Sequence, residues 1–381
     1  MILNFVIFVP FVVIRFFWLR LRCVSLILLG VALSLLFPLV GQSQERWEKI
    51  VAEAKREGKV EVAGPPVPGF RQGLTDGFRN VFGIGLEYLG LPSGELSIRL
   101  ERETAAGWVS VDANIGGASS ALANEMPKGL LEPLVDKLIL PEVANPKMWQ
   151  RGKLKWVDNQ QRYVLQTAEW VMTDLILNKD KADPNRIAVW ADLLKPEWKG
   201  KIASYDPRRG GPGNAVARYL MYRFGKEFVV KLYKEQNVTF TQDLRQLVEW
   251  VARGTYPVGL GAVQVMIERF RKEGLPVVRH FPKDSPGSLL GGYGTIVMVK
   301  GALHASAATV FVNWFASKEG QEIYAREMLE PSLRTDVRQD LLPDYVIRRP
   351  GVKYDMDQYS EDWMLNILPK VQKQLTDALG R

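Results

Sequence analysis

Gly58-Lys59-Val60-Glu61-Val62-Ala63-Gly64 is followed by Gly83-Ile84-Gly85-Leu86-Glu87-Tyr88-Leu89-Gly90, and then by Gly107-Trp108-Val109-Ser110-Val111-Asp112-Ala113. The three runs recur with a period of roughly 25 residues, the spacing of stacked βα units. Between them the apolar residues change to helical spacing. Trp47, Ile50, Val51 and Ala54 precede the first run, and Phe70, Leu74, Phe78 and Val81 the second. Leu96 and Leu100, on a helix that Ser93 is placed to N-cap, precede the third. Gly58, Gly83 and Gly107 stop the helices, because glycine accepts the left-handed conformation that closes a helix. Strands are predicted over Lys59 to Ala63, Ile84 to Leu89 and Trp108 to Ala113, in a parallel sheet of an α/β fold.

Each strand then runs into a loop of small or turn-forming residues: Gly64 to Gly69, Gly90 to Gly94, and Asn114 to Ser120. These loops fall at the carboxyl ends of the strands, the edge where open α/β sheets bind ligands. The middle of the chain repeats the logic. Strands are expected at Val171 to Asn178, Lys201 to Tyr205, Val238 to Thr241, Tyr256 to Gly261 and Pro276 to Phe281, with Asp243 capping the helix that carries Leu244, Leu247, Val248 and Val251. Thr295 to Lys300 is a late strand before an apolar helix through Val310, Trp314 and Phe315. Two α/β lobes joined by extended crossovers accommodate this order better than one very wide sheet. The tryptophans sit mostly at helical spacing with other apolar residues and read as core.

The residues before Glu45 contain no aspartate or glutamate. Arg15, Arg20 and Arg22 precede an unbroken apolar run from Val24 to Val40, and Gly41 and Ser43 supply small residues at a cleavage spacing. Residues 1–43 therefore read as a signal peptide, with a mature start near Gln44 and a periplasmic destination; the alternative is an uncleaved membrane anchor, since about 17 apolar residues is at the short limit of a spanning helix. Its removal takes the formal charge from +8 to +5, with 47 Lys+Arg against 42 Asp+Glu. That excess is spread along the chain without a run of like charges, which argues against a nucleic-acid partner. The sole cysteine, Cys23, lies in the leader, so a mature chain has no disulfide, no thiolate nucleophile and no sulfur metal site. About 335 mature residues exceed what one core usually organises, which again predicts two domains.

Two loops offer binding chemistry. Asp206-Pro207-Arg208-Arg209-Gly210-Gly211-Pro212-Gly213 follows a strand and opens a helix, placing free backbone N–H groups beside two guanidinium groups. Helix amides carry partial positive charge and arginine grips a carboxylate or phosphate bidentately, so the segment suits an anion. No Gly-Lys-Ser/Thr closes it as a nucleotide loop. Asn114 to Ala121 is nearly uncharged and offers the Ser119 and Ser120 hydroxyls to a polar solute. Gly117-Ala118-Ser119-Ser120-Ala121 also approaches a nucleophile elbow, which makes an exported serine hydrolase the competing class, with only His280 or His304 as base. Neither histidine has a second at ligand spacing, so no zinc site is expected. Ser93-Gly94-Glu95 and Thr241-Gln242-Asp243 are helix starts first and ligand contacts second. Tyr293, among Gly291, Gly292 and Gly294, stands in a linker between lobes and is placed to cover a cleft.

Further stretches carry a likeness. They are Trp47 with Ala54-Lys55-Arg56-Glu57-Gly58-Lys59-Val60, Asp192-Leu193-Leu194-Lys195-Pro196-Glu197-Trp198-Lys199-Gly200-Lys201-Ile202 running to Asp206-Pro207, and Gly291-Gly292-Tyr293-Gly294. Phe311-Val312-Asn313-Trp314 with Ser317-Lys318-Glu319-Gly320-Gln321, and Ser332-Leu333-Arg334-Thr335-Asp336, complete the set. In order and spacing the chain resembles the family 1 extracellular solute-binding proteins, in particular the ferric-iron-type periplasmic components of ABC importers. The resemblance implies a type II periplasmic-binding-protein fold, with two α/β lobes on extended hinge strands. It also implies capture of a small solute, delivery to an inner-membrane ABC permease, and no catalytic activity. Ferric-binding members carry an adjacent tyrosine pair after a second-lobe strand. Here that region reads Gly259-Leu260-Gly261-Ala262-Val263-Gln264-Val265-Met266 and no Tyr-Tyr pair occurs, which points away from direct ferric coordination.

The expected organisation is a leader (1–43), a first lobe (44–160 with 282–345), a second lobe (161–281) and a C-terminal helical segment (346–381). The expected ligand is a small anion bound without cofactor or protein metal site by a monomer. The first lobe would contribute Ser93, Glu95, Ser119, Ser120 and Tyr293. The second would contribute Arg208, Arg209, Gly210, Gly211, Gly213 and Thr241. The alternative cargo is ferric iron, or a ferric–anion complex, held through carboxylates such as Glu95.

Overall fold

The computed structural model describes residues 44–172, 175–209, 211–354 and 360–380. The expected leader, with Cys23, lies outside them. After a helix over 44–57, the first sheet forms from β1 (Lys59–Gly64), β2 (Gly85–Gly90), β3 (Ala113–Gly116), β4 (Leu131–Glu132), β5 (Lys155–Trp156), β6 (Leu165–Gln166) and β14 (Thr295–Val299). Its order is β2-β1-β3-β14-β6-β5, with β4 also on β14. The β1–β2 and β1–β3 pairs are parallel and β14 runs antiparallel to β3. The helix Pro68–Phe82 begins with proline at its first turn, where no N–H partner is needed, and ends at Gly83 with φ 70°. It buries Phe70, Leu74 and Phe78 against Phe311, Phe315 and Tyr324, with rings meeting edge-on or tilted. Each such side chain contributes about 1.5–3 kcal/mol on burial.

The second sheet has the order β10-β9-β11-β8-β12. Its strands are β8 (Leu175–Asn178), β9 (Ile202–Tyr205), β10 (Thr239–Thr241), β11 (Val258–Leu260) and β12 (Val277–His280). β9, β10 and β11 are parallel, and β8 runs against both β11 and β12. A two-stranded antiparallel ladder of β7 (Trp170–Met172) and β13 (Ser288–Leu290) carries the chain between the sheets, once in each direction. The two sheets and this connecting pair form the α/β architecture of the type II periplasmic binding proteins.

Four expectations need correction. Val171 to Asn178 does not belong to one sheet: Trp170–Met172 pairs in the connecting ladder as β7 and Leu175–Asn178 in the second sheet as β8. The first sheet keeps the chain past 160, since Leu165 pairs with Ile296; a two-residue strand carries no periodic signal. The third strand begins at Ala113 and not at Trp108, which is 51% exposed. The Glu103 carboxylate takes both the N–H and the hydroxyl of Ser110, holding that stretch out of the ladder. Finally, Pro92 occupies the N-cap position expected of Ser93, which forms no side-chain cap. Asp243 caps as predicted, accepting from the N–H groups of Arg245 and Gln246 at 2.8 and 3.1 Å.

The C-terminal helix Leu368–Leu379 packs on the helix Pro212–Val230 of the second lobe. The residues before it reach both halves. The Tyr345 hydroxyl donates to Glu268 of the second lobe, and Arg348 pairs with buried Glu169 beside β7.

Candidate functional site

At the first sheet's edge the Ser93 hydroxyl, released from capping, accepts the Gly117 N–H at 3.1 Å. This bond ties the start of the helix Ser93–Ala105 to the loop leaving β3. A methyl group placed on Gly117 would lie 3.7 Å from the Gly292 carbonyl oxygen, so the loops holding Ser93, Gly117 and Tyr293 meet. Ser119 and Ser120 follow on the single turn Ala118–Ser120; both are half-buried, and their hydroxyls have no protein partner among the described residues. Glu95 is exposed. The turn Gly291 to Gly294 closes with the Gly294 N–H on the Gly291 carbonyl, and the Gly294 carbonyl accepts from the Thr167 N–H at 2.7 Å. Tyr293 is half-buried against the first core. Burial, then the Glu330 and Glu95 carboxyls, push its phenol above the ordinary tyrosine range.

At the second sheet's edge Arg208 turns back onto the start of its own segment. Arg208 grips Asp206 bidentately, Nε to Oδ1 and Nη2 to Oδ2 both at 2.8 Å, and its guanidinium lies 5.1 Å from the Phe240 ring centroid. Arg209 is exposed. Gly210 lies outside the described residues. Gly211 has φ 126° and precedes the helix Pro212–Val230; its carbonyl accepts the Ala215 N–H. Gly213 is jammed against β9, and Gly261, at the end of β11, approaches it so closely that a methyl on Gly261 would lie 2.7 Å from its Cα. Thr241 is 7% exposed and its hydroxyl is committed, donating to Gln246 at 2.6 Å and accepting the Asp243 N–H at 3.1 Å. Arg208 therefore reaches an anion only by leaving Asp206, whereas Arg209 is already free of the segment's own carboxylate.

The Asp206–Arg208 pair has a measurable signature. Arg208 holds the Asp206 carboxyl below the usual aspartate range. A depressed carboxyl adds stability above its unfolded value, about 3.9, and loses it as pH falls toward the lower folded value. Asp206→Asn is expected to flatten the acid limb of a circular-dichroism unfolding curve below about pH 3.9. An unchanged limb would mean that the pair does not persist in solution.

The structure gathers Ser93, Glu95, Ser119, Ser120 and Tyr293 on one edge, and Arg208, Gly211, Gly213 and Thr241 on the other. Two residues not singled out as site candidates from sequence join them. Gln264 starts the helix Gln264–Lys272 three residues after Gly261 and donates across to the first lobe's Glu330 at 3.0 Å. Glu330 in turn lies under Gly292, where a methyl group would come within 3.1 Å of both carboxyl oxygens and 3.0 Å of the Trp170 indole nitrogen. A glutamine at a helix start and a glutamate two residues before Ser332 carry no periodic signal. The loop from Gly261, packed on Gly213, to Gln264 thus reaches Glu330, which lies under Gly292 and the neighbouring Gly117 loop, so the two strand-end edges come together here.

Among the described residues neither histidine is hydrogen-bonded to Ser119. His304 Nδ1 pairs with Asp112 at 2.8 Å and His280 Nε2 contacts the Ile187 carbonyl at 2.5 Å, so each imidazole is engaged away from Ser119. Among the described residues no group of three or more His, Cys, Asp or Glu side chains is placed to hold a metal.

Paired sheets with facing strand ends and a double connecting strand define a binding protein of type II periplasmic architecture. The chain belongs to the bacterial extracellular solute-binding protein family, whose model matches residues 118–355. It is similar to the periplasmic binding protein AfuA of Actinobacillus pleuropneumoniae, solved with exogenous fructose-6-phosphate bound. That likeness has 18% identity over 84% of this chain and 98% of that one, with a TM-score of 0.62. It is also similar to the substrate binding protein of an ABC transporter from Agrobacterium tumefaciens, at 18% identity over 84% and 94% of the two chains and a TM-score of 0.66. An uncharacterized protein of Haemophilus influenzae is 28% identical over 138 residues, a stretch spanning 35% of this chain and 38% of that relative.

Proposed function

We propose that this chain is the exported substrate-binding component of an ABC importer, acting as a monomer that closes two lobes on a small anion and presents it to an inner-membrane permease. The observation that carries this reading is the facing of the two strand-end edges, joined at their base by Gln264 and Glu330. A solute between them touches both lobes, which is what a ligand needs in order to shift an opening equilibrium. The first lobe supplies the unpartnered Ser119 and Ser120 hydroxyls, and the second supplies Arg209, Arg208 once it turns from Asp206, and the amides at the start of the helix Pro212–Val230. Phosphorylated or carboxylated solutes suit this combination of hydroxyls on one side and guanidinium groups on the other. The fructose-6-phosphate reported in the relative from Actinobacillus pleuropneumoniae is of that kind.

A thermal-shift screen against sugar phosphates, phosphonates, carboxylates and ferric complexes tests the class. A ligand at 100 times its dissociation constant adds about 2.7 kcal/mol. Changing Arg208 and Arg209 together to alanine is expected to weaken binding of the best hit by about thirty-fold, near 2 kcal/mol, since charged hydrogen bonds are lost and the cost of freeing Arg208 offsets part of them. Full affinity in that double variant would remove the anion-loop assignment. A best hit that is a neutral sugar would remove the anion itself.

A further inference from the structure

Glu330 is 5% exposed and its carboxyl has partners from both lobes. Oε1 accepts from Gln264 of the second lobe at 3.0 Å, and Oε2 meets the hydroxyl of Tyr324, from the first-lobe helix Lys318–Met328. Above it lies the turn Gly291 to Gly294, which carries Tyr293, and beside that turn stands Trp170 of β7, whose buried indole nitrogen has no hydrogen-bond partner among the described residues. The titratable and polar groups facing Glu330 are therefore Tyr324, Tyr293, Gln264 and Trp170, with Glu95 reaching the cluster through Tyr293. All are neutral or acidic. A carboxylate buried without a cation is costly, so the group favours its protonated form.

We propose that Glu330 is an interlobe positioning residue that joins the lobes in its protonated form, so that parting of the lobes releases a proton. This rests on the two-lobe receptor reading. With the lobes joined, burial raises the carboxyl to about 8, against smaller opposing effects of Tyr324 and Gln264. Parting breaks the Gln264 bond and wets the carboxyl, returning it toward the ordinary glutamate value of about 4.3. The joined arrangement then holds one more proton between these limits. Its advantage is full below about pH 4.3, falls by up to about tenfold per pH unit, and is spent once pH passes about 8.

Hydrogen exchange of the amides at the start of the helix Gln264–Lys272, corrected for the intrinsic rate and measured without ligand at pH 6 and pH 9, tests this. Wild-type protection is expected to fall at least tenfold over that interval. Glu330→Gln, with a permanently neutral side chain, is expected to hold its protection at both. Gln264→Leu, which leaves Glu330 in place, is expected to show low protection already at pH 6, and it carries the test if Glu330→Gln does not fold. Equal pH responses in wild type and Glu330→Gln, or none in wild type, overturn the proposal. Small-angle scattering with and without fructose-6-phosphate, citrate and inorganic phosphate separates the two readings. A shape unmoved by any probe or by pH sinks lobe closure itself, whereas a shape that contracts with a probe but ignores pH sinks only the role of Glu330.

Discussion

Arg334→Ala is expected to lower the unfolding free energy by about 4 kcal/mol, within the range for breaking a buried ion pair. Arg334 is fully buried. Its guanidinium holds Asp336 at 2.9 and 2.8 Å, donates to the Ala316 and Glu142 carbonyl oxygens at 3.1 and 3.4 Å, and lies 5.7 Å from the Trp149 ring. One side chain thus satisfies the end of the apolar helix Ala305–Ala316, the short helix at Pro141–Ala144 and its own loop. Removing it leaves acceptors without donors and an unpaired carboxylate. Lysine cannot substitute, since one ammonium cannot reproduce the planar fork. Urea unfolding of both variants is the measurement. A midpoint within error of wild type in Arg334→Ala would show that water or a shifted neighbour replaces the guanidinium.

The second large effect falls in the candidate cleft. A methyl group on Gly213 would stand 2.0 Å from the Tyr205 carbonyl oxygen and 3.1 Å from the Tyr205 Cβ. The first of these is backbone at the end of a central strand and cannot rotate aside, so Gly213→Ala should cost about 3 kcal/mol, the upper part of the range for overpacking. Gly83→Ala is the control. Gly83 has the left-handed φ of 70° but open space around its Cβ direction, so only conformational strain is incurred, about 1 kcal/mol. If the two variants unfold at the same denaturant concentration, the close approach of the helix start to β9 is wrong. The turn before the helix Pro212–Val230 would then be wider than described.

Much of this fold is legible in the chain. Phe70, Leu74 and Phe78 announce a helix because a 3.6-residue period must present one face to a core, and Gly83 announces its end because few residues adopt positive φ. Val60 and Val62 mark a strand for the same reason. The short pieces are not legible. β5, β6 and β7 have two or three residues each, too few to alternate, so the place where the chain leaves the first sheet shows only in pairing. Side-chain diversions are equally silent: the Glu103 carboxylate that takes Ser110, or the Ser93 hydroxyl that serves Gly117 and not its own helix. In the candidate cleft, glycine and arginine mark the Asp206 to Gly213 segment by composition alone. Its state, with Arg208 turned inward onto Asp206, depends on a side-chain choice that composition does not encode. Glu330 and Gln264 are the plainest misses, since a residue acting through one cross-lobe bond leaves no local pattern.

The terminal helix rests on the Pro212–Val230 helix, while Arg348, upstream of it, is anchored beside β7. A fluorescent reporter or affinity handle fused beyond residue 381 would therefore ride with the arginine-bearing half of the molecule. Paired with a dye near residue 44, on the opposite half, it would report the proposed parting of the halves as a change in energy transfer.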